Sequence, residues 1–177
     1  GIREDFPLFL SMSLGAGEST LLRLVRGYAM IANGGFKVYP TLIDRIQDRR
    51  GKTIFKHDNR ECKLCQNYEN WSGESPPEIE DNRNLITDKS SAFQMTSILK
   101  GVVERGTGIK LNKLKINLAG KTGTTNDNTN AWFIGYSPDL VVGVYVGYDI
   151  PSPLGKKETG SSAAVPIFSD FMKEYFK

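Results

Sequence analysis

The sequence predicts an α+β fold, an antiparallel sheet flanked by helices, and three observations carry that prediction. Two segments of helical periodicity, residues 21–32 and 88–104, each begin behind a capping residue and end at glycine. Three β-prone runs, residues 118–125, 131–136 and 140–148, then follow in close succession. An amphipathic stretch over residues 164–176 closes the chain as a further helix.

Each element has a local reason. The chain starts as a loop or short helix with Pro7 and an apolar patch over residues 8–14. Thr20 can cap the first helix, whose stripe of Leu21, Leu24, Val25, Tyr28, Ala29 and Ala32 is expected to be buried, and Asn33-Gly34-Gly35 stops it. Residues 36–39, 42–48 and 53–56 read as strands, with Arg49-Arg50-Gly51-Lys52 as a hairpin turn. Residues 57–84 are polar and read as a surface excursion, with Pro76-Pro77 inside it. Asp88 caps the second helix, and Gly106 and Gly108 end it. Ser137-Pro138-Asp139 is a tight turn, so the last two strands form an antiparallel hairpin. The first of the three pairs with the second because they are close in sequence.

Composition narrows the function classes. At 177 residues, 39% hydrophobic and 10% aromatic, the chain can bury the core of one domain. The net charge of +3, from 23 basic and 20 acidic side chains interleaved along the chain, does not point to nucleic acid. The longest apolar run is too short to span a membrane, and no signal peptide opens the sequence.

The chemistry concentrates in Leu118-Ala119-Gly120-Lys121-Thr122-Gly123-Thr124-Thr125. A lysine ammonium supplies a point charge with rotatable donors. Thr122 and Thr124, two apart on a strand, project their hydroxyls from one face. Gly123 between them lets a backbone or ligand come close. The set suits holding a carboxylate and stabilising an oxyanion, and Lys-Thr-Gly is the third element of the serine-enzyme set found in penicillin-binding proteins and β-lactamases.

The flanks sharpen this. Val102-Val103-Glu104-Arg105-Gly106-Thr107-Gly108 lies upstream, and the run from Asn126 through Trp132, Phe133 and Gly135 to Asp139 lies downstream, followed by Val144-Tyr145-Val146-Gly147-Tyr148-Asp149. With Leu14-Gly15-Ala16-Gly17-Glu18, YAMIANGG from Tyr28 and PIFSDFM from Pro166, the sequence resembles the C-terminal part of the transpeptidase domain of class A, bifunctional penicillin-binding proteins of the 1A type. The resemblance runs almost end to end, with residues 57–83 the exception. It implies that all 177 residues are the C-terminal portion of one transpeptidase domain, with residues 118–148 the active-site strand and hairpin.

The resemblance implies serine acyl transfer that cross-links peptidoglycan stem peptides ending in D-Ala-D-Ala, inhibition by β-lactam antibiotics, and no cofactor or metal. It implies a place on the periplasmic side of the bacterial inner membrane, held by an anchor outside this chain. Lys121 would set positive charge near the nucleophile and the ligand carboxylate, and Thr122 and Thr124 would bond that carboxylate. The Thr124 N–H would be one oxyanion donor, and a side chain at Gly123 would push the substrate away.

The family's nucleophilic Ser-x-x-Lys and its Ser-x-Asn would lie N-terminal to Gly1, so that missing N-terminal part of the same protein is the implied partner. No Ser-x-Asn occurs in the chain. Ser97-Ile98-Leu99-Lys100 fits Ser-x-x-Lys but is read as a chance match in the second helix, because a spacing of three puts any two residues on one helix face. The strand over residues 140–148 should have an unpaired edge and the helices uncovered apolar faces, which disposes the piece alone to associate.

Other features read blandly. Cys62 and Cys65 form a Cys-x-x-Cys in a polar loop, where a local disulfide staple competes with zinc binding, a redox pair and two reduced thiols; His57 is the chain's one histidine. Trp132, Phe133, Tyr136, Tyr145 and Tyr148 read as packing residues. Arg105-Gly106-Thr107-Gly108 follows a helix and is not a phosphate loop. Asn126, Asp127 and Asn130 could contact ligand or cap their loop, and Glu104 beside Arg105 is a poor base. Two further functions compete: a non-catalytic remnant or interaction module, and a β-lactamase, which the long segment before Lys-Thr-Gly disfavours.

Overall fold

A computed structural model describes residues 9–15, 17–60, 79 and 81–177, so Cys62 and Cys65 lie outside the described residues. The chain divides into two units, one of residues 1–38 with 85–177 and one of residues 39–84.

The larger unit holds the three-strand sheet. Strands β3 (Ala119–Thr124), β4 (Asn130–Tyr136) and β5 (Val141–Gly147) stand in sequence order and pair antiparallel throughout. Ala119 faces Tyr136 and Thr124 faces Ala131, while Asn130 faces Gly147 and Tyr136 faces Val141. Ser137 makes the second turn, its buried hydroxyl accepting from the Leu140 N–H at 3.2 Å. Among the described residues β5 pairs with β4 alone, as the resemblance led one to expect.

Helix α1 (Leu21–Ala32) starts where Thr20 accepts from the Arg23 N–H at 3.3 Å, the expected cap. Beyond its end at Ala32 the chain turns away through Gly35, whose φ of 93° and position against the Thr87 carbonyl leave no room for a Cβ. The expected stripe is half-buried rather than buried; Gly27 and Met30 are the buried positions. Residues 36–39 form no strand, only a bridge from Phe36 to Leu85.

Helix α2 (Lys89–Arg105) buries Ala92, Leu99, Gly101 and Val103. Phe93 and Ile98, large apolar residues of the same helix, are 75% and 65% exposed. Ala92, Leu99 and Val103 share one side of the helix, and Phe93 and Ile98 lie outside that side. Asp88 caps α2, accepting from the Ser91 N–H at 2.9 Å and the Ser91 hydroxyl at 2.7 Å.

Those bonds, the hydroxyl's first, hold the Asp88 carboxyl below its ordinary pKa. A depressed folded-state value stabilises above the ordinary carboxylate range and ceases to as pH falls through it. Replacing Asp88 with Ala should therefore lower the unfolding midpoint near neutrality, with the gap to wild type closing on acidification. A gap of constant size across that pH range would show that the carboxylate's charge is not what caps the helix.

A 3-10 turn at Leu10–Leu14 is the short-helix alternative expected near the start of the chain, while another at Ile109–Leu114 is an addition to the expected elements. The second sinks Leu111 completely. The C-terminal helix α3 (Val165–Tyr175) is preceded by a wide π turn, Gly160–Ala164, that Thr159 and Ser162 cap reciprocally.

The sheet is packed on both faces. On one, Ala119 and Tyr136 meet Leu99, with Tyr28, Ile31 and Ala32 of α1 alongside. The Tyr136 hydroxyl donates to Thr96 at 3.0 Å, and Thr96 donates on to the Ala92 carbonyl at 2.9 Å. Burial pushes the Tyr136 phenol above its ordinary pKa. On the other face Phe133 packs with Phe168, Met172, Val165, Leu111, Leu118 and Val103. Phe133 and Phe168 meet edge-to-face at 4.8 Å.

The smaller unit contains a hairpin of β1 (Arg45–Gln47) and β2 (Thr53–Lys56), shorter at its first strand than expected and bulged between Ile46 and Gln47. Asp48 organises the turn over residues 49–52 by accepting from the Arg50 and Lys52 N–H groups at 2.8 and 2.9 Å. All its strand residues are exposed.

Candidate active site

Among the described residues strand β3 stands at an edge of the sheet, and its register decides what that edge offers. The Thr125 N–H donates to the Asn130 carbonyl at 3.2 Å, in line with the β3–β4 pairing. In an antiparallel ladder, residues bond the neighbouring strand alternately. Lys121 and Gly123 therefore bond β4, while Gly120, Thr122 and Thr124 turn their N–H and C=O groups to the open edge. The Thr124 N–H points where an incoming oxyanion or peptide strand could take it.

Side chains divide the other way. Thr122 and Thr124 share a face, as expected, and Lys121 lies on the opposite face with Ala119. Lys121 is exposed, and its ammonium curls to the edge, donating to the Thr122 carbonyl at 2.6 Å. The positive charge thus sits at the same edge as the Thr124 N–H, although its stem leaves the strand on the other side.

Two segments that the sequence does not visibly connect to β3 complete the site. Thr107, in the turn after α2, brings its hydroxyl to 2.7 Å from the Thr122 hydroxyl. Thr122 is 8% exposed, whereas Thr124 is exposed. The Gly160 N–H donates to the Thr124 hydroxyl at 3.0 Å, and Ser161 donates to the Thr107 carbonyl at 2.8 Å. Gly160 lies flat on the β3–β4 ladder: a Cβ there would fall 2.7 Å from the Gly123 carbonyl oxygen and 2.5 Å from that of Trp132. A Cβ at Gly123 itself would meet Trp132 Cβ at 3.3 Å, so crowding at Gly123 comes also from within the chain.

The remaining candidates separate by their partners. Ser97 is exposed on α2, and Lys100 lies 3.5 Å from Glu104 in an ion pair. Glu104 also meets Arg105 at 3.4 Å. Asn130 accepts from the Tyr145 hydroxyl at 2.7 Å and so belongs to the hairpin, while Asn126 and Asp127 are exposed on the loop. Trp132 and Tyr145 pack ring to ring at 4.5 Å. Among the described residues, no three His, Cys, Asp or Glu side chains are grouped to hold a metal.

Residues 8–173 match the penicillin binding protein transpeptidase domain. The chain belongs to the penicillin-binding protein transpeptidase family. It is 47% identical over its whole length to penicillin-binding protein 1A of Rickettsia prowazekii, of which it covers 23%. Against penicillin-binding protein 1A of Neisseria lactamica, identity is 38% over 96% of the chain and 19% of the relative. A crystal structure of penicillin-binding protein 1A from Haemophilus influenzae superposes with a TM-score of 0.75 at 26% identity, over 96% of this chain and 28% of that one. The chain thus spans less than a quarter of the length of these curated relatives. The matches are to transpeptidase domains, and they support neither a β-lactamase nor a non-catalytic interaction module. Among the described residues no helix is long and apolar enough to cross a membrane.

Proposed function

We propose that this chain is the C-terminal portion of a penicillin-sensitive D,D-transpeptidase domain that cross-links peptidoglycan stem peptides, and that it works within a longer protein supplying the serine nucleophile. The observation that carries this reading is the β3 edge, which bears the outward Thr124 N–H and the Lys121 ammonium, with the Thr124 hydroxyl on the same strand. A stem peptide would add to that edge as a further strand, its backbone bonding the outward groups of Thr122 and Thr124. Its terminal carboxylate would lie against the hydroxyls and the ammonium. Serine attack on the D-Ala-D-Ala carbonyl would place negative charge on its oxygen at the Thr124 N–H, a type of contact worth about 3–4 kcal/mol in acyl-transfer enzymes. The last D-Ala leaves, and an amine of a second stem takes the acyl group. A β-lactam would enter by the same edge and stop at the acyl-serine.

The exposed Phe93 and Ile98 of α2 and the outer edge of β5 are surfaces for the rest of the domain to cover. The same reading puts the protein at the periplasmic side of the inner membrane, in cell-wall synthesis that maintains shape.

Fluorescent penicillin tests this. The longer protein should take up one label, and the chain of 177 residues none. Replacing Lys121 with Ala in the longer protein should slow acylation roughly 10- to 100-fold, the worth of a hydrogen bond to a charged group. The unfolding midpoint should hardly move, since the side chain is exposed. Slowing by less than about threefold would mean that Lys121 does not hold the ligand carboxylate.

A further inference from the structure

We infer that Thr107 is a positioning residue for the carboxylate end of the ligand, acting through Thr122. This rests on the function proposed above and adds a residue that the Lys-Thr-Gly strand does not contain. A hydroxyl has one hydrogen to give and two lone pairs to receive with. In the 2.7 Å contact between Thr107 and Thr122 either oxygen can be the donor. A carboxylate only accepts, so when Thr122 gives its hydrogen to one, Thr107 must give its own to Thr122. The result is a directed chain, Thr107 to Thr122 to carboxylate, in which each bond polarises the next.

Thr107 is held for this task on three sides. The Gly106 and Gly108 N–H groups both donate to the Val102 carbonyl, at 3.1 and 3.0 Å, and fasten the turn to the end of α2. Ser161 donates to the Thr107 carbonyl at 2.8 Å and fastens it to the C-terminal segment. Thr122, nine-tenths buried, has little freedom to turn its hydroxyl elsewhere. Thr124 is prepared in parallel: the Gly160 N–H occupies one of its lone pairs, which leaves its hydrogen to be given outward.

The test compares benzylpenicillin with its methyl ester in the longer protein, because the ester lacks the charge that the chain is directed at. The readout is the ratio of their second-order acylation rate constants. T107V should lower that ratio about 3- to 10-fold, the worth of one hydrogen bond, and T107S should restore it. In a T122V background T107V should change the ratio no further. Equal slowing of both compounds by T107V, an unchanged ratio, or a further fall in the T122V background would each overturn the inference while leaving the proposed function standing. A wild-type longer protein that benzylpenicillin does not acylate would overturn both.

Discussion

Truncating Phe133 to Ala should remove about 3–5 kcal/mol of folding stability, the usual cost of a fully buried aromatic. Phe133 has no exposed surface and sits at the centre of β4, between the sheet and α3. Its ring closes edge-to-face on Phe168, and the same cluster takes in Leu111, Leu118, Val165 and Met172. Against the roughly 5–15 kcal/mol of an ordinary domain, the loss is large. Denaturant unfolding measures it. A loss under about 1 kcal/mol would mean that this face of the sheet is not packed as described.

Gly160 is the second sensitive point. Its Cβ in a Gly160→Ala variant would land 2.5 Å from the Trp132 carbonyl oxygen and 2.7 Å from that of Gly123. Both atoms belong to a paired ladder and cannot swing aside as a side chain would, so the π turn must lift. Overpacking of this kind costs about 1–3 kcal/mol. Lifting the turn also withdraws the Gly160 N–H from Thr124 and the Ser161 hydroxyl from Thr107. Penicillin acylation in the longer protein should therefore slow more than that of a core variant matched to it in stability. Equal stability with undiminished acylation would show that the turn does not hold the strand.

The parts of this fold that could be read from sequence are those governed by neighbours along the chain. Thr20 and Asp88 cap the helices they precede, and the three-strand meander follows from short links and from Ser137-Pro138-Asp139. Helix faces are harder. Phe93 and Ile98 share the apolar pattern of α2, yet periodicity cannot say which part of a wide stripe meets the sheet. Residues 36–39 have strand composition but find one bridge partner, Leu85, and no second strand.

Within the site, Lys121, Thr122, Gly123 and Thr124 are legible as a motif with a period of two, and the structure sets them along one edge. Thr107 is visible in the sequence only as part of a glycine-flanked turn. Gly160 and Ser161 carry no local signal, since the groups they serve lie 36 and 54 residues earlier. Proximity of that range is decided by how α3 and its leading turn pack, which no window of sequence contains.

That long reach has a bearing on how the protein is made. A ribosome extends the chain from its N-terminus, and segments organise as they emerge. The β3–β4–β5 meander can form once residue 147 is out, but the hydroxyl of Thr124 must wait for Gly160, and the turn at Thr107 for Ser161. The strand that would read the substrate is therefore the first of these three to be synthesised and among the last parts to be set in order. A nascent chain halted between residues 148 and 159 would carry the whole motif and the whole hairpin, yet lack the turn that locks them.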